Sequence, residues 1–366
     1  MRIKRRAFLT AGVFGAFGAA CCLPWWNEAV SILEAPRRIL PDDIAMDIHP
    51  RAKEAVKSFL EVDGDASVSG LLHWLRVFGV SADVDSDGER LNQRAKEIVD
   101  MLTDEKRIAK KYGQEGTVVE TESGVKYLSR QSNLRLEWRS RAAHPGQVAA
   151  VFGEIGLRSS RLVRCNSKIF TIADVVRDCL LNLQCRDARR LEPEWAGLVY
   201  AHYANFSTWT NRFGESISIN GLIDYLLKRP VMAYCCGGTH LLHTLAAILQ
   251  ADMQSELLQG ATREKIEQKC LEYREVLERT QHANGAWLDD WAGHVETKNK
   301  SAVGVHMTGH ILEGQLYLPT SLRISEKCIH DGVKFLEQEF LTVKSDDLVG
   351  NYCPYSHAGR VLMCCE

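Results

Sequence analysis

Apolar residues recur at helical spacing through most of the second half of the chain, over 171–184, 192–206, 218–228, 239–250, 261–281, 308–318 and 325–341. The connections between these segments are mostly short and carry Gly or Pro, as between packed antiparallel helices. Nearer the N-terminus, helical patterns cover 52–60 and 67–79, the second with Ser69 as its cap and Leu71, Leu72, Leu75 and Val77 facing inward. The one clear β pattern lies over 117–140. There TVVETESGVKYL reads as a hairpin turning at Glu122-Ser123-Gly124, and LRLEWR alternates Leu134, Leu136 and Trp138 with charged residues, as a half-buried strand does. The expected fold is mainly α, with a small α+β portion over 36–160 and a helical domain over 165–366.

The first thirty residues read differently. MRIKRRAFLTAGVFGAFGAACCLPWW pairs Arg5 with Arg6, follows them with Phe8 and Leu9, and continues as a Gly/Ala-rich uncharged run. This resembles a twin-arginine export signal, departing from the usual pattern at Lys4 and Thr10. The run from Ala7 to Trp26 is long enough to remain as a membrane anchor if it is not cleaved. The resemblance implies a periplasmic or cell-envelope protein that uses the twin-arginine translocation machinery, and such substrates cross folded, often with a cofactor already loaded.

Composition narrows the partners. Of 366 residues, 45% are hydrophobic and 25% charged, and the net charge of −2 leaves no basic run beyond the N-terminus, which argues against nucleic acid. Twelve cysteines is a high count, and ten lie beyond residue 30. In an oxidising compartment some are expected to pair. No CxxC spacing occurs, so a zinc ribbon is excluded, and the adjacent Cys235 and Cys236 need separate explanations.

Three stretches share a layout: CCGGTHLLHTL (235–245), HMTGHILEGQL (306–316) and CPYSHAGRVLM (353–363). Each places Thr or Ser as a prospective N-cap, a histidine one or two residues on, and an apolar helix after it. Three helix mouths facing one space would make an imidazole-rich floor at positive dipole ends. Paired helices closed into an α/α toroid have this geometry. Gln281-x-x-x-Gly285-x-Trp287 resembles the Gln–Trp motif of terpenoid cyclases and their protein-prenyltransferase-like toroidal relatives. The resemblance implies an α/α toroid over 165–366, with the glutamine tying off helix ends and the tryptophan stacked in the turn. The acid motif of squalene cyclases and the Asp-x-Cys zinc pattern of prenyltransferases are absent, so the resemblance implies architecture rather than terpenoid chemistry.

Candidate chemistry gathers on the same stretches. His306, His310 and Glu313 share one helix face if that helix extends back to His306; if Thr308 is the cap, only His310 and Glu313 remain together. With Cys236 and His240, the two histidines suit a divalent metal such as zinc. His240, His310, Glu313 and His357 are expected to line the cavity and carry acid–base work, with Tyr355 beside His357. Asp289 and Asp290, between Trp287 and Trp291, suit general acid work or sugar binding. DVDSDGERLNQR (83–94) starts like a calcium loop but has Arg94 where the bidentate Glu belongs, and reads as an acidic turn. His73, His202 and Trp209 read as core or pocket lining. The leading expectation is an envelope enzyme, a lyase, hydrolase or isomerase acting on a glycan or small molecule. The alternative is a non-catalytic ligand-binding or scaffold protein of the same fold.

Overall fold

The computed structural model describes residues 31–60, 66–80, 91–113, 115–130, 138–185, 192–292, 300–343 and 352–365. The export-signal reading of 1–30 and the acidic turn over 83–90 lie outside them. The chain is mainly helical. Thirteen α-helices occur among the described residues: α1 Pro50–Leu60, α2 Val68–Phe78, α3 Gln93–Leu102, α4 Glu105–Tyr112, α5 Gln147–Glu154, α6 Ile172–Leu181, α7 Pro193–Tyr203, α8 Ile219–Lys228, α9 Thr239–Ser255, α10 Gly260–Thr280, α11 Lys300–Leu316, α12 Glu326–Thr342 and α13 Tyr352–Met363. None is long and apolar enough to cross a membrane.

Local signals explain most helix starts. Asn92, Asp104 and Ser218 each accept backbone N–H bonds from the first turn of the helix they precede. Thr171 and Asp174 form a reciprocal capping box at α6. At α2 the cap is Ser67, which accepts from the Gly70 N–H at 3.0 Å; Ser69, expected in that role, is buried inside the first turn.

The β content is wider than the sequence pattern indicates. The expected hairpin forms as β1 Val118–Thr121 and β2 Gly124–Tyr127. Two more antiparallel hairpins appear, β3 Leu162–Cys165 with β4 Lys168–Thr171, and β5 Thr208–Thr210 with β6 Ser216–Ser218. Their arms of three or four residues are too short for a period of two to register. The turn between β3 and β4 is set by Asn166 at φ 54°, a conformation asparagine tolerates. The strand expected at LRLEWR is not continued by its described end, since Trp138–Ser140 is a 3₁₀ turn; residues 134–137 lie outside the described chain.

Several helices are buried on every side, which marks them as interior. All of α7 is buried, as are Thr239–Leu249 of α9 and Val68–Arg76 of α2. The interior helices pack in sequence: α2 on α5, α5 on α7, α7 on α9, α9 on α11, α11 on α13, and α13 on α2. Close approach is bought with glycine. A Cβ at Gly309 of α11 would lie 2.7 Å from the Ala358 nitrogen of α13, and one at Gly197 of α7 would lie 2.6 Å from Thr244 Cγ2 of α9. The remaining helices flank these, with α6 on α5 and α7, α8 on α7 and α10, α12 on α11 and α13, and α1 on α12 and α13. One hydrophobic core runs from Ile39 to Cys365, so α2 and α5 share it with the helices beyond residue 165.

The shared helix-mouth layout is not what forms. Only His240 lies in a first turn, after Gly238 rather than a side-chain cap. Thr308 and Ser356 lie inside α11 and α13, so His310 and His357 project from helix bodies. Because α11 begins at Lys300, His306, His310 and Glu313 do belong to one helix. Pro354 fits the first turn of α13, where no N–H bond is lost, and lets that helix start before Ser356.

Candidate metal centre

Between the interior helices lies a cluster of imidazoles, thiols and carboxylates. α2 contributes His73 and Arg76, α5 Glu154, α9 His240 and His243, α11 His306, His310 and Glu313 with Tyr317 just past its end, and α13 Cys353, His357 and Arg360. His144, Cys235 and Cys236 enter from the segments before α5 and α9.

One donor atom each from His240, His310 and His357 lies within 4.8 Å of the other two, and all three residues are buried. The His310 and His357 rings stack at 3.5 Å, and the His240 ring stands edge-on to His310 at 5.2 Å. His240 Nδ1, His310 Nε2 and His357 Nε2 are buried and have no hydrogen-bond partner among the described residues. The opposite nitrogens are engaged. His310 Nδ1 donates to the His306 carbonyl at 2.8 Å, and His357 Nδ1 donates to Glu313 Oε2 at 2.5 Å. Each of those bonds fixes the tautomer and leaves a lone pair on Nε2, the arrangement of a metal-ligating histidine held from behind. Further groups of donors adjoin: Cys236 with His306 and His310, His73 with Cys353 and His357, and His144 with Cys235, Cys236 and His240. The chain therefore has His/Cys clusters able to hold a metal ion.

Below the imidazoles is a buried ionic network. Arg76 binds Glu154 and donates to Glu313 Oε1 at 2.7 Å, while Arg360 donates to the same Glu313 oxygen at 2.8 Å and to the Tyr317 hydroxyl at 2.5 Å. Burial works to raise Glu154, but Arg76, Arg360 and His243 hold it down at about 2. Glu313 is likewise depressed, against its burial, by Arg76, His357 and Arg360. Two guanidiniums and two carboxylates balance in charge, which is how buried ions are tolerated.

Burial lowers His73, His240, His306 and His357, with Arg76 adding to the effect at His73, so these rings are neutral and their lone pairs available. His144 moves the other way, to about 9, because hydrogen bonds to Cys236 and Glu192 overcome its burial. A hydrogen bond from Cys235 and the surrounding histidines lower Cys236, while burial raises Cys235.

His243 lies 3.3 Å from Glu154 and is nevertheless held near 3 by burial, and burial also lowers His202. The folded chain keeps both neutral, whereas the unfolded chain protonates them near 6.5. Their contribution to stability is thus complete above about pH 6.5 and is lost as pH falls, by up to about 1.4 kcal/mol per unit for each imidazole. Denaturation midpoints measured from pH 7 to pH 5 should fall, and less steeply for His243→Gln; parallel curves would remove His243 as a cause.

Of the sequence-derived candidates, Cys236, His240, His306, His310, Glu313 and His357 meet in this cluster. Asp289 and Asp290 do not; they sit on the turn after Trp287, where Asp290 lies 4.0 Å from the half-exposed His282. Tyr355 is buried against Phe340, away from the imidazoles. The sequence reading left His73 and His144 without a role, although their residue type was a usable signal. It had no signal for Arg76, Glu154 or Arg360, which read as ordinary helix-face charges. All ten cysteines beyond residue 30 are free thiols, where some pairing was expected.

Beside the cluster is a small open pocket of about 90 Å³. Its walls include Val125, Tyr127, Ala149 and Ala196, with Lys126 and Asn182 supplying polar groups. His144 and Glu192 line it too, and the His144 ring stacks on Trp195 and lies 5.6 Å from His240. Comparison of the chain with protein-family models, with curated proteins and with solved structures finds no match.

Proposed function

We propose that this chain is an exported, metal-dependent enzyme of the cell envelope, built as an α/α toroid whose lumen holds a His240, His310 and His357 centre. The observation that carries the reading is the trio of buried, unpartnered nitrogens at His240 Nδ1, His310 Nε2 and His357 Nε2. Leaving a buried acceptor without a partner costs about 1–3 kcal/mol, and three at one place call for a shared partner. Three imidazoles with an open fourth position are the donor set of a catalytic zinc site.

The toroid is supported by the closed circuit of α2, α5, α7, α9, α11 and α13, with the intervening helices flanking it. On this reading the ring takes in α2 and α5 and so reaches beyond residues 165–366. The Gln–Trp turn supports it as well. Gln281 donates to the Gly285 and Cys328 carbonyls, and Trp287 Nε1 donates to the Leu277 carbonyl at the end of α10. Export rests on the Arg5-Arg6 segment.

A divalent ion bound there supplies Lewis acidity and an acidified water. The chain's own residues do the rest. Glu313 holds the Nδ1 proton of His357, and the His306 carbonyl holds that of His310, so both rings keep their lone pairs inward. Arg76 and Arg360 keep Glu313 ionised in the interior. His306, neutral at the edge of the cluster, is placed to accept and return a proton. The adjoining pocket, apolar with a few polar groups, gives a small substrate, or one end of a glycan, a place beside the centre for hydrolysis, elimination or isomerisation.

The test is elemental analysis of the native protein beside His310→Ala and His357→Ala. Zinc or a similar ion, bound in the native chain and lost at this site in both variants, is the expected result. A native protein that carries no ion and takes none up from added zinc would favour the ligand-binding alternative.

A further inference from the structure

We propose that the cluster holds a second metal ion, bound by Cys235 Sγ, Cys236 Sγ, His144 and His240, with the His240 ring bridging it to the ion of His310 and His357. The proposal rests on the three-histidine reading only through the shared His240. The ion it calls for is thiolate-seeking and divalent, zinc first.

One donor atom from each of the four residues lies within 4.8 Å of the others. In a tetrahedral Cys₂His₂ site, bonds of about 2.0–2.3 Å leave donors somewhat under 4 Å apart, so closure needs side-chain movements of about 1 Å. Adjacent residues in extended backbone point to opposite faces. Here Cys236 adopts φ 50°, followed by Gly237 at 62° and Gly238 at 87°, and this left-handed run keeps the two thiols on one side. A side chain other than glycine costs about 1 kcal/mol or more in that region and persists where its surroundings fix it. The surroundings do so. The Cys235 N–H donates to Glu194 Oε1 at 3.1 Å, Trp291 Nε1 donates to the Gly237 carbonyl at 3.0 Å, and the place a Gly238 Cβ would take is filled by the Val231 carbonyl.

His144 is prepared in the same way as His357 of the first site. His144 Nδ1 pairs with Glu192 Oε2 at 2.7 Å, which leaves Nε2 for a metal, as Glu313 does for His357. His144 is held by its stack on Trp195. His240 belongs to both donor sets, and its Nδ1 has no hydrogen-bond partner among the described residues. The proposed bridge gives one of its two nitrogens to each donor set.

The experiment uses the full chain, purified under reducing conditions, dialysed against zinc and then against metal-free buffer. Two ions per chain are expected. Cys235→Ser/Cys236→Ser should keep one of the two, and His357→Ala should also keep one. After cobalt substitution, the native protein and His357→Ala should show a thiolate-to-cobalt charge-transfer band that the double serine variant lacks. Unchanged helical circular dichroism establishes that each variant is folded, and the cobalt band in the native protein is independent of any variant. A single ion that is lost in His357→Ala, with no thiolate band in the native protein, overturns the second site and leaves the three-histidine reading standing. A single ion that gives the thiolate band and survives His357→Ala keeps the thiolate site and overturns both the bridge and the three-histidine centre. No ion at all overturns both proposals.

Discussion

Glu313→Ala is expected to cost about 3–5 kcal/mol of stability. The carboxylate is buried and accepts from Arg76 at 2.7 Å, from Arg360 at 2.8 Å and from His357 Nδ1 at 2.5 Å. Removing it leaves two guanidiniums facing Glu154 alone, an uncompensated positive charge in the interior. Glu313→Gln keeps the shape but not the charge, so it should be less destabilising while still weakening metal binding by about 10–100-fold through the loss of the His357 orienting bond. Denaturant unfolding of the metal-free chain reads the first effect, and zinc competition with a chelator reads the second. An alanine variant within about 1 kcal/mol of the native chain would show that the network is not the buried ionic core described here.

Trp287→Ala should cost about 3–5 kcal/mol by the cavity it opens. The side chain is fully buried and lies against Gly332 of α12 and Leu312 of α11. Its indole donates to the Leu277 carbonyl at 2.8 Å, and its backbone N–H donates to Thr308 Oγ1 at 2.9 Å. It thereby joins α10, α11 and α12. Trp287→Phe should recover most of the apolar contact but lose the indole hydrogen bond to the Leu277 carbonyl, which keeps the Gln281 N–H at 3.1 Å, a residual loss of about 0.5–1.5 kcal/mol. Urea unfolding of the three proteins tests the order native, Phe, Ala. A phenylalanine variant as stable as the native chain would assign the tryptophan's contribution to packing alone.

Much of the helical architecture was legible because helices that flank the interior are apolar on one face and polar on the other, which leaves a strong period. The segments 171–184, 218–228, 261–281 and 325–341 lie within about three residues of α6, α8, α10 and α12 at each end. The short hairpins at 162–171 and 208–218 left no such trace, and α11 began earlier than Thr308 suggested because nothing in that stretch blocks helix. The site followed the same division. His240, His310 and His357 stood out because histidines on apolar helices are conspicuous. His73 was as visible but was read as lining, and His144 was not singled out.

What the sequence by itself determined is the helical class, the main helix boundaries and the residue types from which a metal site is made, since these depend on local periodicity and side-chain chemistry. Only the tertiary structure decided that α2 and α13, nearly three hundred residues apart, pack together and put His73 within 4.8 Å of His357. It alone decided that Arg76, Glu154, Glu313 and Arg360 neutralise one another. The physical reason is range. A helical period is written in every few residues, whereas the partner of a buried charge is set by which faces the packing of distant helices brings together, and nothing near that charge in the chain records it.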